Sequence, residues 1–151
     1  ERRIMTGMDR ASRARTAAGV FISLTASQLI WCTPEGAAQP APKVVATVPA
    51  AGATVPAGPL TLKVTFDQKM MPDSYSFVTI QGAAYPPCPG PPTTSTDGMT
   101  FSLDCTLESG KSYALGFNGG SYMNFKSQAG VAAVPSELHF STAPVPEPGQ
   151  S

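Results

Sequence analysis

Apolar side chains along this chain recur at every second position, in short runs broken by glycine, proline and aspartate. In Leu60–Phe66 (LTLKVTF), Leu60, Leu62, Val64 and Phe66 share one face, with Thr61, Lys63 and Thr65 on the other. That alternation is the mark of a strand burying one side in an antiparallel sheet. Met99–Cys105 (MTFSLDC) repeats it, with Met99, Phe101, Leu103 and Cys105 on one face. Ser112–Phe117 (SYALGF) sets Tyr113, Leu115 and Phe117 together. Further strands are predicted at Lys43–Val48, ended by Pro49, at Tyr75–Ile80, before Gly82, and at Glu137–Thr142, where Leu138 and Phe140 point inward and His139 outward. No stretch carries apolar residues at helical spacing over three turns. Six or seven short strands bounded by turn residues predict an all-β fold, a sandwich of two antiparallel sheets. Two segments interrupt the pattern: the proline-rich loop 86–98 (PPCPGPPTTSTDG), closing at an Asp97-Gly98 turn, and the glycine- and aromatic-rich excursion 118–130 (NGGSYMNFKSQAG).

The ends follow other rules. All five arginines lie in the first fifteen residues, and Ala17–Trp31 follows without a charge. A basic start, a short apolar stretch and then small residues match a secretory signal peptide, with Gly36-Ala37-Ala38 as the cleavage site. The apolar run falls short of the roughly 20 residues of a membrane-spanning helix. An uncleaved anchor or a buried helix is the other reading. Cys32 raises a third, a lipid-anchored protein, although Trp31 stands where a lipoprotein signal wants a small residue. The expected organisation is a signal peptide at 1–38, a linker at 39–42, one domain at 43–143 and a proline-rich tail at 144–151. The destination is the periplasm or the exterior, with no membrane span after cleavage.

Without residues 1–38 the chain keeps five lysines against seven acidic residues, a net charge of −2, and no arginine. Dispersed lysines without arginine exclude a nucleic-acid binder, which needs a concentrated basic footprint. Cys88 and Cys105 remain, seventeen positions apart. In an exported chain an even pair reads as a disulfide; two free buried thiols, or a metal site wanting further ligands, are the alternatives.

Chemistry is sparse. His139 is the sole histidine, and a catalytic base needs a nucleophile and an orienting acid beside it. Asp67 and Asp73 flank a turn but lack the Asp-x-Asp-x-Gly pattern of a calcium loop. Gly119-Gly120 has no following Gly-Lys-Ser/Thr to cradle phosphate. No catalytic residue, cofactor or metal site is expected. Phe117, Asn118, Tyr122, Asn124 and Phe125 are the candidate partner-binding surface, because aromatics beside amides suit stacking on sugar rings or gripping a protein. The competing reading places Phe117 and Phe125 in the core.

Motifs in sequence order carry a resemblance. Pro49, Gly52, Ala53, Pro56, Pro59 and Phe66 resemble the strand, Pro-x-x-Gly-Ala turn and alternating strand that open SbsA-type bacterial Ig-like domains. Asp97-Gly98 resembles that family's turn, Leu107–Tyr113 its Leu-x-x-Gly-x-x-Tyr corner, and Leu138–Thr142 its closing strand. The resemblance spans about Lys43 to Ala143 and implies an Ig-like β-sandwich serving binding or structural roles in the cell envelope, with a protein or glycan partner. Tyr113 would then be a tyrosine corner. The opening is also similar to periplasmic copper carriers of the CopC type, which would draw on Met70, Met71, Met99 and Met123 as thioether ligands; those carriers use an N-terminal histidine, whereas Gln39 follows the predicted cleavage. A further alternative is an accessory domain of a larger surface enzyme.

Protein recovered from cells is expected to begin near Gln39 and to resist alkylation without reductant, as read by intact mass. A chain retaining residues 1–38 with free thiols would contradict both expectations.

Overall fold

The longest ladder joins β3 (Gly58–Phe66) to β6 (Thr100–Leu107), antiparallel from Gly58↔Leu107 to Thr65↔Thr100. These are the two most regularly alternating segments, so pairing them puts Leu62, Val64, Phe66, Phe101, Leu103, Cys105 and Leu107 on one buried face. The computed structural model describes residues 39–149; the expected signal peptide, its cleavage site and Cys32 lie outside the described residues. β1 (Val44–Val48) and the two-residue β5 (Thr93–Thr94) complete this sheet in the order β1-β3-β6-β5. The second sheet, β2-β8-β7-β4, comprises β2 (Thr54–Val55), β8 (Ser136–Thr142), β7 (Ser112–Phe117) and β4 (Phe77–Thr79). Leu115, Phe117, Leu138 and Phe140 meet the first sheet from the opposite side. Each such side chain taken from water contributes about 1.5–3 kcal/mol, and together they make the sandwich core.

The expected sandwich is present, with differences of local cause. β2 and β5 are too short to show a period, and β5 forms inside the proline-rich loop by pairing Thr93 with Ser102 and Thr94 with Phe101. β4 is shorter than expected, although Ser76 O still accepts from Asn118 N at 3.0 Å in register with Phe77↔Phe117, while its hydroxyl accepts from Asn124 N at 3.1 Å. β7 is buried on both sides. Ala114 N donates to Ala84 O at 2.9 Å, and Val78 covers Gly116 so closely that a Cβ there would lie 2.6 Å from Val78 Cγ2.

The Cys88–Cys105 disulfide is formed. It fastens a segment that crosses between the sheets: Ala84 O is bonded to β7, Pro86 is buried, and Pro87 O accepts from Thr106 N of β6 at 3.0 Å. At the β6–β7 corner, the buried Tyr113 hydroxyl oxygen accepts from Glu108 N at 2.9 Å. Thr142 Oγ1 donates to Glu108 O at 2.6 Å and accepts from Lys111 N at 2.9 Å, so β8 ties the same corner from the other side. The Lys111–Glu108 ion pair above it is exposed and contributes little.

Removing the disulfide as the C88S/C105S double variant is expected to cost about 3 kcal/mol, from loop-closure entropy regained by the unfolded chain. Tyr113→Phe is expected to cost about 0.5–1.5 kcal/mol through one lost hydrogen bond. Urea unfolding reads both; unchanged midpoints would contradict the assignment of these two fastenings.

Candidate functional site

Three of the five residues of the expected binding surface are inside. Phe117 and Phe125 are 1% and 0% exposed and Asn118 is 2% exposed. Phe117 ends β7 facing the core, and Phe125 enters the core from the loop that follows. The correction has a physical basis in Asn118. Its backbone has φ 65°, a left-handed conformation that asparagine tolerates better than most residues. This turns the chain out of β7 and aims the amide side chain back under the loop. Asn118 Oδ1 accepts from Phe125 N at 2.9 Å, while Nδ2 donates to Phe125 O and to Ala133 O, each at 3.0 Å. One side chain thus satisfies buried backbone groups of two separate loop residues.

On this pedestal stand the two exposed members, Tyr122 and Asn124. Gly119 and Tyr122 exchange backbone hydrogen bonds, both at 2.9 Å, across a two-residue turn in which Gly120 takes φ 56°. Ser74 Oγ donates to Asn124 O, and Asn124 N is held by Ser76 Oγ. The main chain on both sides of the tip is therefore fixed, while the Tyr122 side is 64% exposed.

Two grooves meet at Tyr122. One, of about 820 Å³, lies along β4 and the end of β7 and includes Val78, Thr79, Gln81, Gly116 and Glu137. The other, of about 340 Å³, lies at the sandwich edge and includes Tyr75, Tyr85, Pro92 and Asn124. Sequence reasoning passed over Tyr75 and Tyr85. They are distant along the chain, and no periodic signal marks them as neighbours. Burial pushes the Tyr85 phenol above its ordinary range.

The other candidates are dispersed. His139 points outward on β8, its Nε2 lying 3.0 Å from Glu137 Oε2, and both side chains are more than half exposed. Asp67 Oδ1 accepts from Lys43 N at 3.0 Å, whereas Asp73 stands in the exposed turn after Met71. Among the described residues no group of three His, Cys, Asp or Glu side chains is placed to hold an ion. Met70 is fully buried in the core, Met71 is exposed, and Met99 and Met123 are half-buried. At the 95–100 turn, Asp97 accepts from Ser95 Oγ and from Met99 N, and these bonds hold its carboxyl below the ordinary value of 3.8.

Asn118→Gly retains the backbone freedom and loses the three side-chain bonds. A cost of about 3 kcal/mol is expected, and a loss below about 1 kcal/mol in urea unfolding would contradict the pedestal role. A depressed carboxylate stabilises the fold above its unfolded value, and that contribution is withdrawn as pH falls through the folded value. The stability advantage of the wild type over Asp97→Asn is therefore expected to be full at neutral pH, to begin falling near the unfolded carboxylate value of about 4, and to be lost as pH passes the lower folded value. An advantage that does not change with pH through the acid range would contradict the assignment.

Comparison with known proteins places these features in a lineage. No curated protein matches the sequence. Among solved structures, the chain is similar to CopC from Methylosinus trichosporium OB3b, at 20% identity and a TM-score of 0.52, with 70% of this chain and 97% of that one covered. At that identity the likeness is one of fold. The profile of the bacterial Ig-like domain matches residues 38–142, from just before β1 to the end of β8. With two packed four-stranded sheets and that match across most of its length, the chain belongs to the bacterial Ig-like domain family.

Proposed function

We propose that this chain is an exported, non-catalytic Ig-like module that binds a protein or glycan partner of the cell envelope. The observation that carries the reading is the loop 117–125. Its inner residues are spent on the core and on buried backbone bonds, and the same bonds hold an exposed aromatic, Tyr122, between two grooves. An aromatic fixed in place by its main chain loses little conformational entropy on binding, which is why such residues serve as interface anchors. The disulfide supports export, since such bonds persist in oxidising compartments. No helix among the described residues is long and apolar enough to cross a membrane. The finer placement among SbsA-type domains rests on the Pro49–Phe66 opening and the Tyr113 corner.

The fold likeness to a CopC protein favours a second reading, a copper carrier. The residues present fit copper poorly. Met70 is used by the core, and the remaining methionines bring no histidine with them: His139 is on β8, bonded to Glu137. A role as the accessory domain of a surface enzyme would use the same binding loop and is covered by the same test.

Cell-envelope material is expected to retain the wild-type chain in a sedimentation assay. Tyr122→Ala should reduce retention at least tenfold with an unchanged unfolding midpoint. Equal retention of both proteins, or no retention of either, would contradict the binding reading. One equivalent of tightly bound copper, lost on replacement of Met71 or Met99, would transfer the assignment to the carrier.

A further inference from the structure

The chain has four tyrosines, and three of them line one groove. Tyr75 precedes β4, Tyr85 lies on the segment crossing between the sheets, and Tyr122 is the loop tip. Each comes from a separately fastened element. Tyr75 packs on Phe77 and Phe101, with ring centroids 6.2 and 6.5 Å away. Tyr85 is carried by the segment that the Cys88–Cys105 disulfide secures. Tyr122 is carried by the Asn118 pedestal. Tyr75 and Tyr122 are 38% and 64% exposed, so their rings remain available to a ligand.

The chemistry of the walls selects the ligand. Among the described residues no charged side chain lines the groove at the three tyrosines, so these walls offer nothing to neutralise an anion and no carboxylate for a cation. Tyrosine rings present apolar faces with hydroxyl tips, and the Asn124 side chain provides both an amide donor and a carbonyl acceptor. Beyond Tyr122, the second groove adds the Thr79 hydroxyl, the Gln81 amide and the Glu137 carboxylate. A sugar ring matches this set. Its C–H face stacks on an aromatic ring, and its hydroxyls both donate and accept. A proline-rich peptide would also stack on tyrosines, but its prolines have no N–H to donate to the Asn124 and Gln81 side-chain carbonyls, whereas sugar hydroxyls both donate and accept. The two grooves share Phe77 and Tyr122, so a ligand that spans the Tyr122 tip meets both, which suits a chain and not only a single sugar.

We propose that the groove formed by Tyr75, Tyr85 and Tyr122, continued across Tyr122 towards Glu137, binds a neutral polysaccharide. This inference rests on the binding-module reading and specifies its ligand class.

The test is retardation of the purified chain in native gels containing hydroxyethylcellulose, amylose or laminarin, with dextran sulfate as an anionic control. Retardation by at least one neutral glucan and none by dextran sulfate is expected. Tyr122→Ala and Asn124→Ala should each weaken it tenfold or more at unchanged unfolding midpoints, and Tyr75→Ala should weaken it likewise. Absence of retardation by all three glucans would overturn the proposal, as would equal retardation of wild type and Tyr122→Ala. Tyr122-dependent binding of a decaproline peptide without glucan binding would overturn it in favour of a protein partner, leaving the wider reading intact. Loss of envelope retention altogether would instead remove that wider reading.

Discussion

The structure depends on a loop residue, Phe125, occupying the centre of a β-sandwich. Its ring centroid lies 5.1 Å from Phe66 and 5.0 Å from Phe101 of one sheet, and 5.0 Å from Phe77 and 6.3 Å from Phe117 of the other. Each well-oriented aromatic pair adds about 0.5–1.5 kcal/mol beyond burial. Such a position is hard for a loop to hold, because its peptide groups enter the core without a strand partner and an unpaired buried group costs about 1–3 kcal/mol. Ala133 N donates to Phe125 O at 2.8 Å, and Asn118 meets the remaining need by accepting from Phe125 N and donating to the same carbonyl. Its amide has the same donor and acceptor types as a peptide bond, and the left-handed backbone directs it inward.

The same constraint divides the loop by role. Because Phe117, Asn118 and Phe125 are committed to the interior, the residues between them are displaced outward on a short, doubly bonded turn. Exposure of Tyr122 is thus a geometric consequence of packing, and its main chain is held by hydrogen bonds within the same turn. On the opposite wall, the disulfide anchors the proline-rich segment against β6. Groove shape therefore rests on two independent fastenings, one covalent and one built from hydrogen bonds, with the sandwich between them as a spacer.

Much of this fold was legible in the sequence. β3, β6, β7 and β8 announce themselves by alternation, and Tyr113 by its place after Gly110 at a strand start. The outward side of His139 follows from the same period. The two-residue strands β2 and β5 have no period to read. The interior placement of Phe117 and Phe125 was one of two sequence readings of that segment, undecided because loops lack the periodicity that tells inside from outside. An asparagine directly after a strand and before Gly-Gly was the available signal that the chain turns there. The convergence of Tyr75, Tyr85 and Tyr122 is tertiary, created by a crossing segment whose path the sequence does not encode locally.

The central claim is that Phe125 and the Asn118 amide make a nominal loop part of the core. Amide hydrogen exchange at Phe125, followed by NMR in the native protein, tests it most directly. Exchange only through global opening, with protection matching Leu62 and Phe101 in β3 and β6, is the result expected of a core amide. Exchange at Phe125 through local opening, at free energies typical of surface loops, would contradict the claim and detach the presentation of Tyr122 from the stability of the sandwich.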